Sequence, residues 1–191
     1  MGVTDLSADI GLVAVVVATL NICIGLLIAL RYSPVRCWPH RRLNIFRAHT
    51  WTAYFLVVAI ILHPFVLLFS STRRFRVQDI ALPLWSQIQP VENTFGAAGL
   101  YLVGLVMITS HLRQRMKRVT WKRFHYLVYV ASVAILVHGL FTDPRLNSDG
   151  KPVDLLDGEK VLVEVCAFVI FAVAVYGAKC KHRRDGNVSE P

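Results

Sequence analysis

The sequence is short of charge. Of its 191 residues only 17% are Asp, Glu, Lys or Arg, against roughly 25% in soluble domains. Hydrophobic residues make up 55%, in runs far longer than a buried core helix needs, which excludes an ordinary soluble domain. Cysteine is scarce as well. Cys23, Cys37, Cys166 and Cys180 never stand at metal-ligand spacing and read as unpaired structural thiols. The opening stretch, MGVTDLSADI, has no Lys or Arg. A cleaved signal peptide begins with a basic region, so the first apolar run is expected to be a retained helix. No low-complexity segment, internal repeat or glycine-rich dinucleotide motif stands out. The net charge is +9, yet no groove-reading motif accompanies it, so nucleic acid is not an expected partner.

What the sequence has is five apolar runs, near 9–30, 46–70, 94–112, 122–142 and 160–178. Each is long enough for a hydrocarbon core of about 30 Å, which takes about 20 helical residues. The expected fold is all-α: a polytopic transmembrane helix bundle forming one domain over 1–191, with the lipid bilayer as its setting. Basic residues sort by loop. The segments 31–47, 113–123 and the tail after 178 hold fifteen of the 21, whereas the loop at 143–160 is rich in Asp and Glu. The positive-inside bias therefore puts the N-terminus outside and the C-terminus inside, as an odd number of crossings requires. The partly apolar stretch RFRVQDIALPLWSQIQP (74–90) reads equally as an interfacial segment or as a solvated, proline-interrupted loop.

Ionisable groups inside a bilayer are costly, and two of the runs hold two histidines each. His49 and His63 are fourteen residues apart, and His125 and His138 thirteen. Both helices run from inside to outside, so the four imidazoles form two pairs, at depths about 20 Å apart at 1.5 Å per residue. Two neutral imidazoles facing each other across a bundle suit the axial positions of a low-spin haem iron. The spacing has one awkward feature. Fourteen residues return to within about 40° of the same helix face, but thirteen leave about 140°. The fourth helix is therefore expected to tilt, to be locally irregular, or to hold its two groups at different azimuths. Ala131, Ser132 and Ala134 between its histidines leave room for a macrocycle, and they suit tight helix packing equally.

The two histidine spacings, H-x13-H and then H-x12-H, together with the run WKRFHYLVY, resemble the ferric reductase-like transmembrane domain. That family includes NADPH oxidases, ferric reductases and the bacterial haem-binding membrane subunit of a periplasmic methionine-sulfoxide reductase system. The resemblance covers roughly 45–141 and extends loosely to the last helix. It implies two b-type haems with bis-histidine ligation, His49 and His125 on the inner one and His63 and His138 on the outer. It also implies a multi-pass protein of a bacterial inner membrane. Larger relatives have six helices and a cytoplasmic flavin and nicotinamide domain; here five runs are counted and about a dozen residues follow the last. The donor is then expected to be a separate flavoprotein, a quinol or a soluble carrier. The acceptor lies on the outer side: ferric iron, oxygen or a periplasmic redox partner.

Other residues carry lesser expectations. Arg47, Arg123 and Arg42 stand near the inner ligands and suit haem propionates, though topology signals explain them nearly as well. Arg73, Arg74 and Arg145 are their outer counterparts. His111 reads as interfacial, His40 and His182 as solvated, and Glu164 as a carboxylate with water access. Trp51, Tyr54, Trp121, Tyr126 and Tyr129 suit an aromatic belt. The rival reading is a proton or metal transporter that uses the histidines as a relay without haem.

Overall fold

The computed structural model describes residues 2–30, 44–70, 75–142 and 156–186, the side chains of 180–186 excepted. Cys37, His40, Arg42, Arg73, Arg74 and Arg145, and the side chains of Cys180 and His182, lie outside the described residues. Every regular element described is helical: α1 (Val3–Ala29), α2 (Ile45–Leu67), α3 (Val77–Ala81), α4 (Pro90–His111), α5 (Arg118–His125), α6 (Leu127–Phe141) and α7 (Gly158–Gly186), with single 3₁₀ turns at Pro83–Trp85 and Arg113–Arg115. Five stretches are long and apolar enough to cross a bilayer: α1, α2, α4, α5 with α6, and Gly158–Lys179 of α7. These are the five spans expected from the apolar runs.

Local chemistry sets several of the ends. Asp5 in the first turn of α1 accepts the Gly2 N–H at 2.7 Å, and Asn44 caps α2 by accepting the Arg47 N–H at 3.0 Å. Pro90 opens α4, where its missing N–H costs nothing. In lipid the helix–helix contacts lack a hydrophobic driving force and rest on close packing of small residues. Accordingly, α1 and α2 meet through Ala14, Ala18, Leu56 and Ala59, and α7 joins through Val163 and Cys166 against Val15. On α4 a Cβ at Gly99 would fall 2.6 Å from Ile135 Cγ1, so glycine sets the approach of α4 to α6. Large apolar side chains such as Phe55, Val58, Phe168 and Phe171 face outward, as lipid contact demands.

Two pairings dominate the bundle, α1 with α2 and α4 with α6. The fourth span is not one continuous helix. It is interrupted for a single residue at Tyr126, where the Tyr129 N–H bonds back only three residues, to the Tyr126 carbonyl. A step of 3.0 residues per turn adds about 20° per residue over the α-helical rotation. That moves His138 towards the azimuth of His125. Local irregularity, one of the three options open to a thirteen-residue spacing, is thus present.

The described part of the 74–90 stretch, 75–90, folds back on the bundle. Phe75, Pro83 and Ser86 are buried while Leu84 and Trp85 stand 65% and 77% exposed. The Tyr101 hydroxyl on α4 ties it down by donating to the Ala81 carbonyl. The segment is thus half-anchored, with apolar side chains on its open face.

Candidate functional site

The four histidines of the two spans come together in two pairs. The rings of His49 and His125 have centroids 6.3 Å apart with planes at 71°. Those of His63 and His138 are 6.0 Å apart at 72°. Each pair joins α2 to the broken helix α5–α6, and the pairs stand about 20 Å apart along α2.

A helix carbonyl can only accept, so a histidine nitrogen bonded to one must carry the proton. His63 Nδ1 donates to the Ser7 carbonyl at 2.7 Å, His49 Nδ1 to the Asn21 carbonyl at 3.1 Å, and His138 Nδ1 to the Glu92 carbonyl at 2.9 Å. His125 Nδ1 meets the Ser110 hydroxyl at 3.4 Å. In the three carbonyl-bound neutral rings Nε2 therefore keeps its lone pair, the state a metal ligand requires. On α1 the grip is reciprocal. The Ser7 hydroxyl donates to the His63 carbonyl at 2.7 Å, and Asn21 Nδ2 donates to the His49 carbonyl at 2.7 Å. Helix α1 thus holds both histidines of α2 by ring and by backbone.

The separation within each pair has a chemical meaning. A metal–imidazole bond of about 2 Å plus the ring radius puts two trans imidazoles with centres about 6 Å apart. Both pairs have that separation. Among the described residues no group of three or more His, Cys, Asp or Glu is placed to hold a metal ion. The donor set therefore suits a metal that brings its own equatorial ligands, as the iron of a porphyrin does.

Around the 63/138 pair lies a largely apolar cavity of about 190 Å³, bounded by Gly11, Ile60, Phe75, Gly96, Leu100 and Val163 among others. Asp79 and Pro83 of the folded-back segment border it too. At the 49/125 pair, Trp121 stacks on His125 with centroids 5.2 Å apart and planes at 28°. Its indole Nε1 is buried with no hydrogen-bond partner among the described residues. A buried donor without an acceptor is rare and calls for a partner that the described residues do not supply.

Of the remaining expected residues, Arg47 and Arg123 are exposed on the helices that carry His49 and His125. Among the described residues neither side chain bonds to a histidine. His111 and Glu164 are exposed. Tyr126 and Tyr129 stack on each other at 6.3 Å, and Trp51 meets Tyr54 edge-on.

The sequence reading missed two things. The carbonyls of Ser7, Asn21 and Glu92 leave no trace in residue type. Lys160, not singled out there, is only 6% exposed on the first turn of α7. It donates to the Gly139 carbonyl at 2.8 Å and to the Thr142 carbonyl, closing the C-terminal end of α6 beside His138.

Against known families, the chain matches the model for the ferric reductase like transmembrane component over residues 12–136. The match begins within α1, ahead of the region on which the sequence resemblance rested, and ends within α6. No curated protein and no solved structure matches the chain.

Proposed function

This chain belongs to the ferric reductase like transmembrane component family, and from that premise we propose that it is a di-haem b cytochrome moving electrons across the membrane. Membership supports transmembrane electron transfer by an integral, multi-pass protein. The haems, their ligands and the partners are our reading. The observation that carries it is the double pair of imidazoles at 6.3 and 6.0 Å, a separation suited to two axial ligands on one iron.

In this reading the whole chain is one haem-binding domain. His49 with His125 holds one haem and His63 with His138 the other. When bound, each haem supplies a one-electron carrier. The protein's residues do the rest. Nδ1 hydrogen bonds to helix carbonyls fix the rings and strengthen their basicity. Were each iron held by two imidazoles, no position would be left open, and the residues would then favour outer-sphere transfer over oxygen binding at the metal. The Trp121 N–H is suited to a propionate of the 49/125 haem, and Arg47 and Arg123 lie on the same helices as further counter-charges. The charge of the loops supports an order in which electrons enter on the 49/125 side, from a flavoprotein, quinol or soluble carrier, and leave on the 63/138 side. Ferric iron, oxygen or a periplasmic redox partner would receive them.

Substitution tests the assignment directly. His63→Ala or His138→Ala should each remove one haem and leave the low-spin spectrum of the other; His49→Ala or His125→Ala should remove the second. Full haem content in all four variants would refute the ligand set.

A further inference from the structure

Four helix positions stand against the four histidines in a common register. Gly11 and Gly25 on α1 are fourteen residues apart, and so are Gly96 and Ser110 on α4. A Cβ added at Gly11 would lie 3.0 Å from Cε1 and Nδ1 of His63. At Gly96 it would lie 3.0 Å from the same two atoms of His138, and at Gly25 3.2 Å from Cε1 of His49. Each of these glycines comes four residues after the one whose carbonyl takes the ring: Ser7 before Gly11, Asn21 before Gly25, Glu92 before Gly96.

The coincidence has a geometric cause. In an α-helix the carbonyl of residue i is bonded by the N–H of residue i+4, which therefore sits directly above it. The Cα–Cβ bond tilts towards the helix N-terminus, so a Cβ at i+4 leans over that carbonyl. Any side chain there blocks a planar ring from reaching the oxygen's second lone pair. Glycine opens the approach. At the fourth position Ser110 carries a Cβ, and His125 finds the serine hydroxyl at 3.4 Å instead of a helix carbonyl. Not every glycine of α4 plays this part: a Cβ at Gly104 meets nothing within 4 Å.

We propose that Gly11, Gly25 and Gly96 are positioning residues that admit three ligand imidazoles to helix carbonyls, and that Ser110 substitutes its hydroxyl for the missing carbonyl at His125. The proposal rests on the haem reading above. It makes the two irons unequal. Both ligands of the 63/138 iron donate to carbonyls, with the Ser7 and Thr142 hydroxyls beside the same nitrogens at 3.2 and 3.0 Å, whereas the 49/125 iron has one carbonyl-bound ligand and one held by the longer hydroxyl contact alone. A ligand that donates firmly through Nδ1–H gives more charge to iron and favours the ferric state, which lowers the potential.

The test is a redox titration of the purified full-length protein, resolving the two haems by their α bands and low-spin signals. Gly11→Ala and Gly96→Ala should each raise the midpoint of the 63/138 haem and leave the other where it was. Gly25→Ala should do the reverse. Gly104→Ala should change neither. Ser110→Gly should lower the 49/125 midpoint by opening a carbonyl to His125, and Ser110→Ala should raise it. If an alanine variant binds no haem at one site, the two Ser110 variants decide, since neither adds bulk. Unmoved midpoints in haem-replete glycine variants, or a Ser110→Gly midpoint that stays or rises, would overturn the proposal. A two-haem wild type with such variants refutes this proposal alone; a wild type without haem refutes the cofactor reading as well.

Discussion

At the residue scale the histidines are defined by what their other nitrogen does. A helix carbonyl meets Nδ1 of His63, His49 and His138 at 2.7, 3.1 and 2.9 Å, with the Ser7 and Thr142 hydroxyls also beside Nδ1 of His63 and His138 at 3.2 and 3.0 Å, and His125 Nδ1 meets the Ser110 hydroxyl at 3.4 Å. An imidazole without such a partner would be free to turn, and the facing geometry would blur. The ring planes within each pair are held far from parallel, at 71° and 72°. Were these rings to hold a haem iron between them, near-perpendicular planes would leave the d orbitals of the low-spin ferric state almost degenerate. Electron paramagnetic resonance of the oxidised protein should therefore show highly anisotropic low-spin signals, with a largest g value above that of a parallel-plane bis-imidazole haem. A rhombic spectrum typical of parallel planes would contradict the observed ring geometry. The pairing of the histidines was legible in the sequence, because two apolar runs carry two each at like spacing, and the rings do meet in pairs; that they are ligands is the proposal. Their hydrogen-bond partners were not legible. A backbone carbonyl has no letter in the sequence, and a glycine in an apolar helix reads the same whether it admits a ring, as Gly96 does, or a neighbouring helix, as Gly99 does. Lys160 was hidden for another reason: at the edge of a run its charge reads as loop, and only the folded structure shows it fastened to the end of α6.

At the element scale the informative feature is the one-residue break at Tyr126. Hydropathy places a span over 122–142 but cannot see a break inside it, because Tyr126 and Leu127 are ordinary helix residues. The thirteen-residue spacing itself signals the problem, since it leaves about 140° between two histidines that both face α2. The tightened step after His125 absorbs part of that rotation. A consequence follows for the length of this segment. Inserting one alanine between Tyr126 and Leu127 restores the nominal fourteen-residue spacing, yet here it should be harmful. It should swing His125 away from His49 and reduce haem content from two per chain to one. Retention of both haems would mean that the break is incidental. The folded-back segment is a second case. Its prolines and lone tryptophan left the sequence reading divided between interface and solvent. The structure buries Phe75, Pro83 and Ser86 and leaves Trp85 out, because the short helix α3 and the 3₁₀ turn together present one apolar side to α4.

At the scale of the whole molecule, the five spans were legible because length and hydropathy decide that question almost alone. The arrangement of the spans was not. The two pairings, α1 with α2 and α4 with α6, each bring a helix of carbonyls to a helix of histidines, so the site is built from two similar hairpins. No repeat is evident in residue identities, because what repeats is spacing: fourteen residues between Gly11 and Gly25, and fourteen between Gly96 and Ser110. The direction proposed for the bundle in the membrane rests on the loop charges. With the basic loops inside, a cysteine placed at the exposed Asp5 should react with a membrane-impermeant thiol reagent added from outside, in a background where the native cysteines are replaced. Labelling only after the membrane is opened would reverse the proposed orientation and with it the proposed direction of electron flow. One measurement bears on the account more directly than any of these. A pyridine haemochrome assay on protein purified from haem-replete cells should give two haem b per chain, one for each facing pair of imidazoles; a well-folded, colourless preparation would contradict it.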